Sequence, residues 1–200
     1  QAAPQSRELN PLMSQANLLL PTYRQMLKAL SAWLDKAEAQ VPEGEAQALL
    51  AARLAPDMFP LSTQIRFACV QAYEGVLRLK GEDFPPLLDT LLDEGRNAGD
   101  HPGTIADARS RIDQTLAWLD DAAPDALDGD PERPIAHSLP MGMIFDLTAE
   151  QYARDWALPQ FYFHLMIAYA ILRSKGVDLG KADYVSHMFA YLRPGTIPSH

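Results

Sequence analysis

Apolar positions along the chain recur with helical spacing, in long runs broken by short segments rich in proline and glycine. In LPTYRQMLKALSAWLDKAEAQ, Tyr23, Met26, Leu27, Leu30, Trp33, Leu34 and Ala37 follow i, i+3, i+4, i+7 and stripe one helical face. Lys28, Asp35, Lys36 and Glu38 fall opposite, and PEGE at 42–45 ends the element. EAQALLAARLA reads as a short helical turn. APDMFPLSTQIRFACVQAYEGVLRLKG predicts a second long helix, with Asp57 as its cap and Pro60 in its first turn, where a missing N–H costs little. Leu61, Ile65, Ala68, Ala72, Val76 and Leu79 form its buried stripe, and Gly81 stops it. Residues 82–103, interrupted by prolines and glycines, hold a short apolar patch, Leu87, Leu88, Leu91 and Leu92, expected on the bundle's flank. A third helix starts on a Thr104–Asp107 cap and turns Ile105, Ala108, Ile112, Leu116 and Leu119 inward.

Residues 122–134 are loop by composition, and IAHSL and MIFDL flank Pro140–Met141–Gly142 as a small hairpin. Thr148 and Gln151 form a capping box that opens a fourth long helix, running to about Ser174 with Gly176 at its exit. GKADYVSHMFAYL adds one more short helix. The segment LPQFYFHLMIAYAIL at 158–172 is so apolar that it reads as a helix enclosed on nearly all sides, with Phe161, Tyr162, Phe163 and Tyr169 circling it. Pro159, Gln160 and His164 interrupt it, and it lacks the ~20 clean apolar residues of a membrane span. The expected architecture is all-α: a four-helix bundle with a small β-hairpin before the last long helix and short accessory helices. One domain is expected over 13–193, with 1–12 as a disordered leader or cloning remnant and 194–200 as a tail.

Charge narrows the partners. With 17 Lys and Arg against 26 Asp and Glu, the net charge is −9, and no basic run relieves it. Nucleic acid and anionic membrane are therefore excluded as partners. Cys69, the single cysteine, lies in an apolar phase, so no internal disulfide or thiolate cluster can form. A reducing cytoplasm fits that usage, and the first twenty residues lack a basic start followed by an apolar core. Aromatics around the fourth helix exceed what one stripe buries, which predicts a homodimer through an apolar helix face.

Three blocks carry a resemblance. ARLAPDMFPLSTQ at 52–64, ALPQFYFHLMIAYAILRSKGVDLGKADY at 157–184 and LLPTYRQMLKALSAWLDKAEA at 19–39 resemble the bacterial family called domain of unknown function 1993. The resemblance runs from Met13 to about Tyr184 and implies the DinB/YfiT-like four-helix bundle. It also implies kinship with a superfamily whose members include metal-dependent enzymes acting with low-molecular-weight thiols. Their metal site takes one histidine from the second helix and an H-x-x-x-H pair from the fourth. With His164 as the first of that pair, Ala168 stands at the partner position, and no histidine occurs in residues 1–100. His101, His137, His187 and His200 fall outside those positions.

His164 is the ionisable group of the greasiest segment. A neutral imidazole brings one donor and one acceptor into the core, and orphaning either costs ~1–3 kcal/mol. Gln64, one position off the second helix's stripe, is the leading partner, followed by Tyr23, Tyr73, Asp57 and a backbone carbonyl. Pro159 frees one such carbonyl if it lies inside a helix. Burial lowers the imidazole pKa and keeps the ring neutral. The expected pocket is His164, Gln64, Asp57, Tyr23 and Tyr73, with His164 and Asp57 as catalytic candidates. His164 is the sole candidate metal ligand, for zinc or nickel completed weakly by Asp57, Gln64 or water. The motifs H-E-x-x-H, G-x-S-x-G and G-x-G-x-x-G are absent. The expectation is a small-molecule-binding or structural module without a complete tri-histidine site and without a cofactor. The alternative is a degenerate metal- or thiol-dependent transferase using His164.

Overall fold

The stripe of the first helix is buried along its whole length: Leu19, Tyr23, Met26, Leu27, Leu30, Trp33, Leu34 and Ala37 of α1 (Gln15–Gln40) all face the core. The chain is seen in a computed structural model that describes residues 14–42, 44–122, 127 and 129–196. The expected leader and most of the expected tail lie outside these residues. After the short α2 (Ala46–Leu49) comes α3 (Leu61–Lys80), the central element, packed against every other long helix. Then follow α4 (Pro86–Asn97), α5 (Ile105–Asp121), strands β1 (Pro134–Ser138) and β2 (Ile144–Thr148), and α6 (Ala149–Gln151). A π-helical segment, Tyr152–Ala157, leads into α7 (Leu158–Ser174), and α8 (Lys181–Tyr184) and a 3₁₀ turn, Ser186–Tyr191, close the fold. The helices α1, α3, α5 and α7 make the four-helix bundle, with a two-stranded antiparallel hairpin before its last member.

Three sequence expectations need correction. Asp57 does not cap α3: the cap position is Pro60, with no side-chain bond, and Asp57 is exposed. The first-turn N–H groups are satisfied instead by the chain after α2. Leu61 N donates to Ala52 O at 2.8 Å and Ser62 N to Leu50 O at 3.0 Å, so a side-chain cap is redundant. The apolar patch of 82–103 does not stay on the flank: Pro86 opens α4, where proline is tolerated, and Leu88 and Leu91 pack into the core.

The third correction concerns α7. It buries one stripe, Phe161, Leu165, Ala168, Ile171 and Leu172, while Phe163 is 58% exposed and Met166 38%. Tyr162, Ile167 and Tyr169 are partly buried against the core, and the open strip of this apolar helix is confined to Pro159, Phe163 and Met166 within 158–172. The capping box Thr148–Gln151 forms as read. Between it and Pro159 the backbone widens: Leu158 N donates to Ala153 O, an i→i+5 bond. A π turn placed one residue ahead of the proline absorbs the ring that a regular α-helix would expel. Among the described residues no helix is long and apolar enough to cross a membrane.

Close packing of α1 on α3 depends on Gly75. The Tyr23 ring lies edge-on to Phe161 at 4.8 Å, and its hydroxyl, buried without a partner among the described residues, abuts the Gly75 Cα. A Cβ at position 75 would overlap that hydroxyl, with the ring carbon bearing it at 3.1 Å. Gly75→Ala is therefore expected to cost ~1–3 kcal/mol in urea unfolding. Tyr23→Phe, which removes an unsatisfied hydroxyl, should change stability by less than ~1 kcal/mol. In the double variant part of the Gly75→Ala loss should be recovered; strictly additive losses would contradict the packing described.

Candidate functional site

Gln64 and His164 meet across the seam between α3 and α7. Gln64, in the first turn of α3, is only 3% exposed, so both ends of its carboxamide need partners. Its Nε2 donates to the Phe59 carbonyl at 3.2 Å, and its Oε1 lies 2.9 Å from His164 Nδ1. With the amide nitrogen committed to a carbonyl, the oxygen must face the ring. A carboxamide oxygen only accepts, so His164 Nδ1 carries the proton and Nε2 carries the lone pair. Nε2 has no hydrogen-bond partner among the described residues and is not sealed from solvent. Burial pushes the imidazole pKa down to about 4, with no compensating carboxylate among the described residues.

Aromatic rings wall the imidazole. Phe67 and Phe163 each stand edge-on to it with centroids at 5.3 Å, and Phe59 lies edge-on to Phe67 at 5.7 Å. Phe59 is 49% exposed and Phe163 58%, so two of the rings around the imidazole are partly open to solvent. Gly95 of α4 makes room for Phe67, since an added Cβ would fall within 2.8 Å of its ring. Thr63 Oγ1 donates to Gly95 O at 2.7 Å and clamps the two helices at that point.

The other expected pocket residues lie elsewhere. Tyr73 stands nine residues after Gln64, about half a turn around α3. It packs on Trp118 at 4.4 Å and its hydroxyl donates to Gln114 O. Tyr23 is in the core against Phe161, and Asp57 is exposed ahead of α3. Phe67 went unread in the sequence although it shares a face with Gln64 at i+3. The Phe59 carbonyl left no sequence signal at all.

The donors at this site do not suit a metal. The second bundle helix offers His164 a carboxamide, and Ala168, one turn on, is fully buried. Among the described residues no three of His, Cys, Asp and Glu are placed so that they could hold a metal ion together. His101 is exposed, His187 lies in the 3₁₀ turn, His137 is on the inner face of β1, and His200 lies outside the described residues. One imidazole and one amide fall short of the three or four protein ligands of zinc sites. Cys69 is no nucleophile either, because burial pushes its thiol up to about 11.

A second polar cleft, of about 370 Å³, contains Arg66, Arg111, Glu94 and Asp107. Its charges cancel internally: Glu94 bridges both arginines, and Asp107 caps α5 through Thr104. Both carboxyls are held below their usual range. For Glu94 the arginines overcome a desolvation penalty, and for Asp107 the Thr104 hydrogen bonds dominate. The cleft reads as a structural ion cluster joining α3, α4 and α5.

A family model for a domain of unknown function, DUF1993, matches residues 17–185. The crystal structure of a DinB family member protein from Shewanella denitrificans is similar, at 33% identity over 92% of this chain and 95% of that one, with a TM-score of 0.69. Among curated proteins none matches the chain. Sequence and fold thus agree, and the chain belongs to the DUF1993 family, on a DinB-like helical bundle.

Proposed function

We propose that the protein is a small-molecule-binding module whose polar anchor is the bare Nε2 of His164. One observation carries this reading: the Phe59–Gln64–His164 chain of hydrogen bonds orients the ring and leaves Nε2 unbonded inside an aromatic rim. The matching ligand has an apolar, preferably aromatic body and one O–H or N–H group. The body packs on Phe59, Phe67 and Phe163, and the donor reaches Nε2. Charged ligands fit less well, because among the described residues no ionic side chain is paired with the imidazole. In this reading the protein is cytoplasmic, and a homodimer across the exposed Phe59, Phe163 and Met166 would roof the site.

Binding fits this imidazole better than catalysis does. A general base works best with a pKa near the working pH, and one at about 4 leaves a thiol of ordinary acidity protonated. The degenerate transferase remains the second reading, favoured by the same open nitrogen. Stoichiometric zinc or nickel in untagged protein, lost in His164→Ala, would support it.

Phenol is a direct probe. Titration by NMR should give saturable shifts at Phe59, Phe163 and the His164 ring, with millimolar-range affinity. His164→Phe, which keeps the ring and removes the acceptor, should abolish saturation at those positions; equal affinity in parent and variant would contradict the reading. The pH dependence has a definite sign. Folding holds His164 neutral while the unfolded imidazole titrates near 6.5, so its contribution is complete above pH 6.5 and is lost as pH falls toward 4. The parent should lose up to roughly 3 kcal/mol more than His164→Phe across that window, measured by urea unfolding.

A further inference from the structure

The cleft that joins α3, α4 and α5 holds a guanidinium with more donors than partners. Arg66 of α3 is 4% exposed, so each of its nitrogens needs an acceptor or an opening. Its Nε faces Glu94 at 3.4 Å, and its Nη1 donates to Ser62 Oγ at 3.0 Å. Nη2 has no hydrogen-bond partner among the described residues and is not sealed from solvent. Glu94 does little for this cation. Arg111 takes the same carboxylate in a fork, with Nε at 3.1 Å from one oxygen and Nη2 on the other, and Arg66 is left a single long contact.

An acceptor stands across the space from that nitrogen. Asp107 commits its Oδ2 to Thr104, which donates from N at 2.8 Å and from Oγ1 at 2.7 Å, and its Oδ1 has no partner among the described residues. Arg66 and Asp107 form no ion pair with each other, because both face the point that a side chain at residue 103 would occupy. A Cβ on Gly103 would lie 3.4 Å from Arg66 Nη2 and 3.3 Å from Asp107 Oδ2. Glycine, in a left-handed conformation at φ +70°, keeps that point clear. This space belongs to the cleft of about 370 Å³, a volume in the range of small-ligand sites. Ser110 and His101, both exposed, also line it.

The opposition of these two groups selects the ligand. Arg66 and Arg111 against Glu94 and Asp107 leave the cleft without net charge, so a bare ion loses on one side what it gains on the other. A molecule that carries both charges loses on neither. Arg66 Nη2–H donates to an anionic oxygen, and Asp107 Oδ1 accepts from a cationic N–H. We propose that the cleft binds a small zwitterion of the α-amino-acid class, with its carboxylate on Arg66 Nη2 and its ammonium on Asp107 Oδ1. The clear point at Gly103 takes the carbon that joins the two charges, and Ser110 and His101 face a short or polar side chain. The site is separate from the His164 pocket, since Gln64 and Arg66, two residues apart, project close to opposite faces of α3.

L-alanine is the probe, and N-acetyl-L-alanine and L-alaninamide each lack one of its charges. In NMR titrations of the full chain at equal ionic strength, alanine should give saturable shifts at Gly103, Asp107 and Ser110, in the millimolar range. Each blocked analogue should bind about tenfold more weakly. Asp107→Asn keeps an acceptor for Thr104 and removes the charge, so the affinity for alanine should fall about tenfold with the fold retained. Gly103→Ala fills the space between the two groups and should abolish saturation, with thermal unfolding showing that the variant is folded. Shifts at Phe59 and Phe163 instead would assign alanine to the other pocket and overturn the proposal. So would the absence of saturation, equal binding of either analogue, or an unchanged affinity in either variant.

Discussion

Gln64 enters α3 with a carboxamide that has almost no access to water, and its two ends are satisfied by two different parts of the chain. The nitrogen holds the Phe59 carbonyl in the segment leading into α3, and the oxygen holds the His164 ring on α7. A single side chain thereby ties the entry of α3 to the middle of α7 and sets the tautomer of the imidazole. Losing either end would orphan a buried polar atom, an asymmetry that makes such a pair specify geometry more than it adds net stability. The open Nε2 follows from this arrangement without any catalytic partner.

The seam holds its register because the backbone yields elsewhere. Pro159 would disrupt an α-helix continuing from the Thr148 cap, yet the π turn over Tyr152–Ala157 lets the chain pass and still deliver Phe161, Leu165 and Ala168 to the core. The same turn swings Tyr152 and Trp156 under the hairpin, against His137. Both histidines consequently sit neutral against aromatic rings, pushed to about 4 chiefly by burial. They differ in access: His164 keeps one nitrogen open at an apolar rim, and His137 has both sealed.

The four long helices were legible because stripes such as Tyr23–Met26–Leu30–Trp33 can only be buried one way. The Gln64–His164 pair was legible for a related reason, since a glutamine beside a buried stripe faces whatever packs there. Other features depend on tertiary contacts that periodicity does not encode. Hydropathy could not show which strip of α7 stays open, because Phe163 is as apolar as Phe161 and differs only in what stands opposite. Asp57 looked like a cap until backbone bonds from Leu61 and Ser62 proved to satisfy the turn. Tyr73, an expected partner of the His164 ring, points away from it around α3 and packs on Trp118 instead. The sealing of His137 required knowing where the hairpin docks.

The central claim is that His164 is an uncharged ring protonated at Nδ1, whose Nε2 has no hydrogen-bond partner among the described residues. Long-range ¹H–¹⁵N correlation spectra of histidine-labelled protein near pH 6 read that state directly. The account predicts a protonated Nδ1, a pyridine-like Nε2, and loss of this tautomer preference in Gln64→Leu. An imidazolium at that pH, or a proton resident on Nε2 in the parent protein, would contradict it.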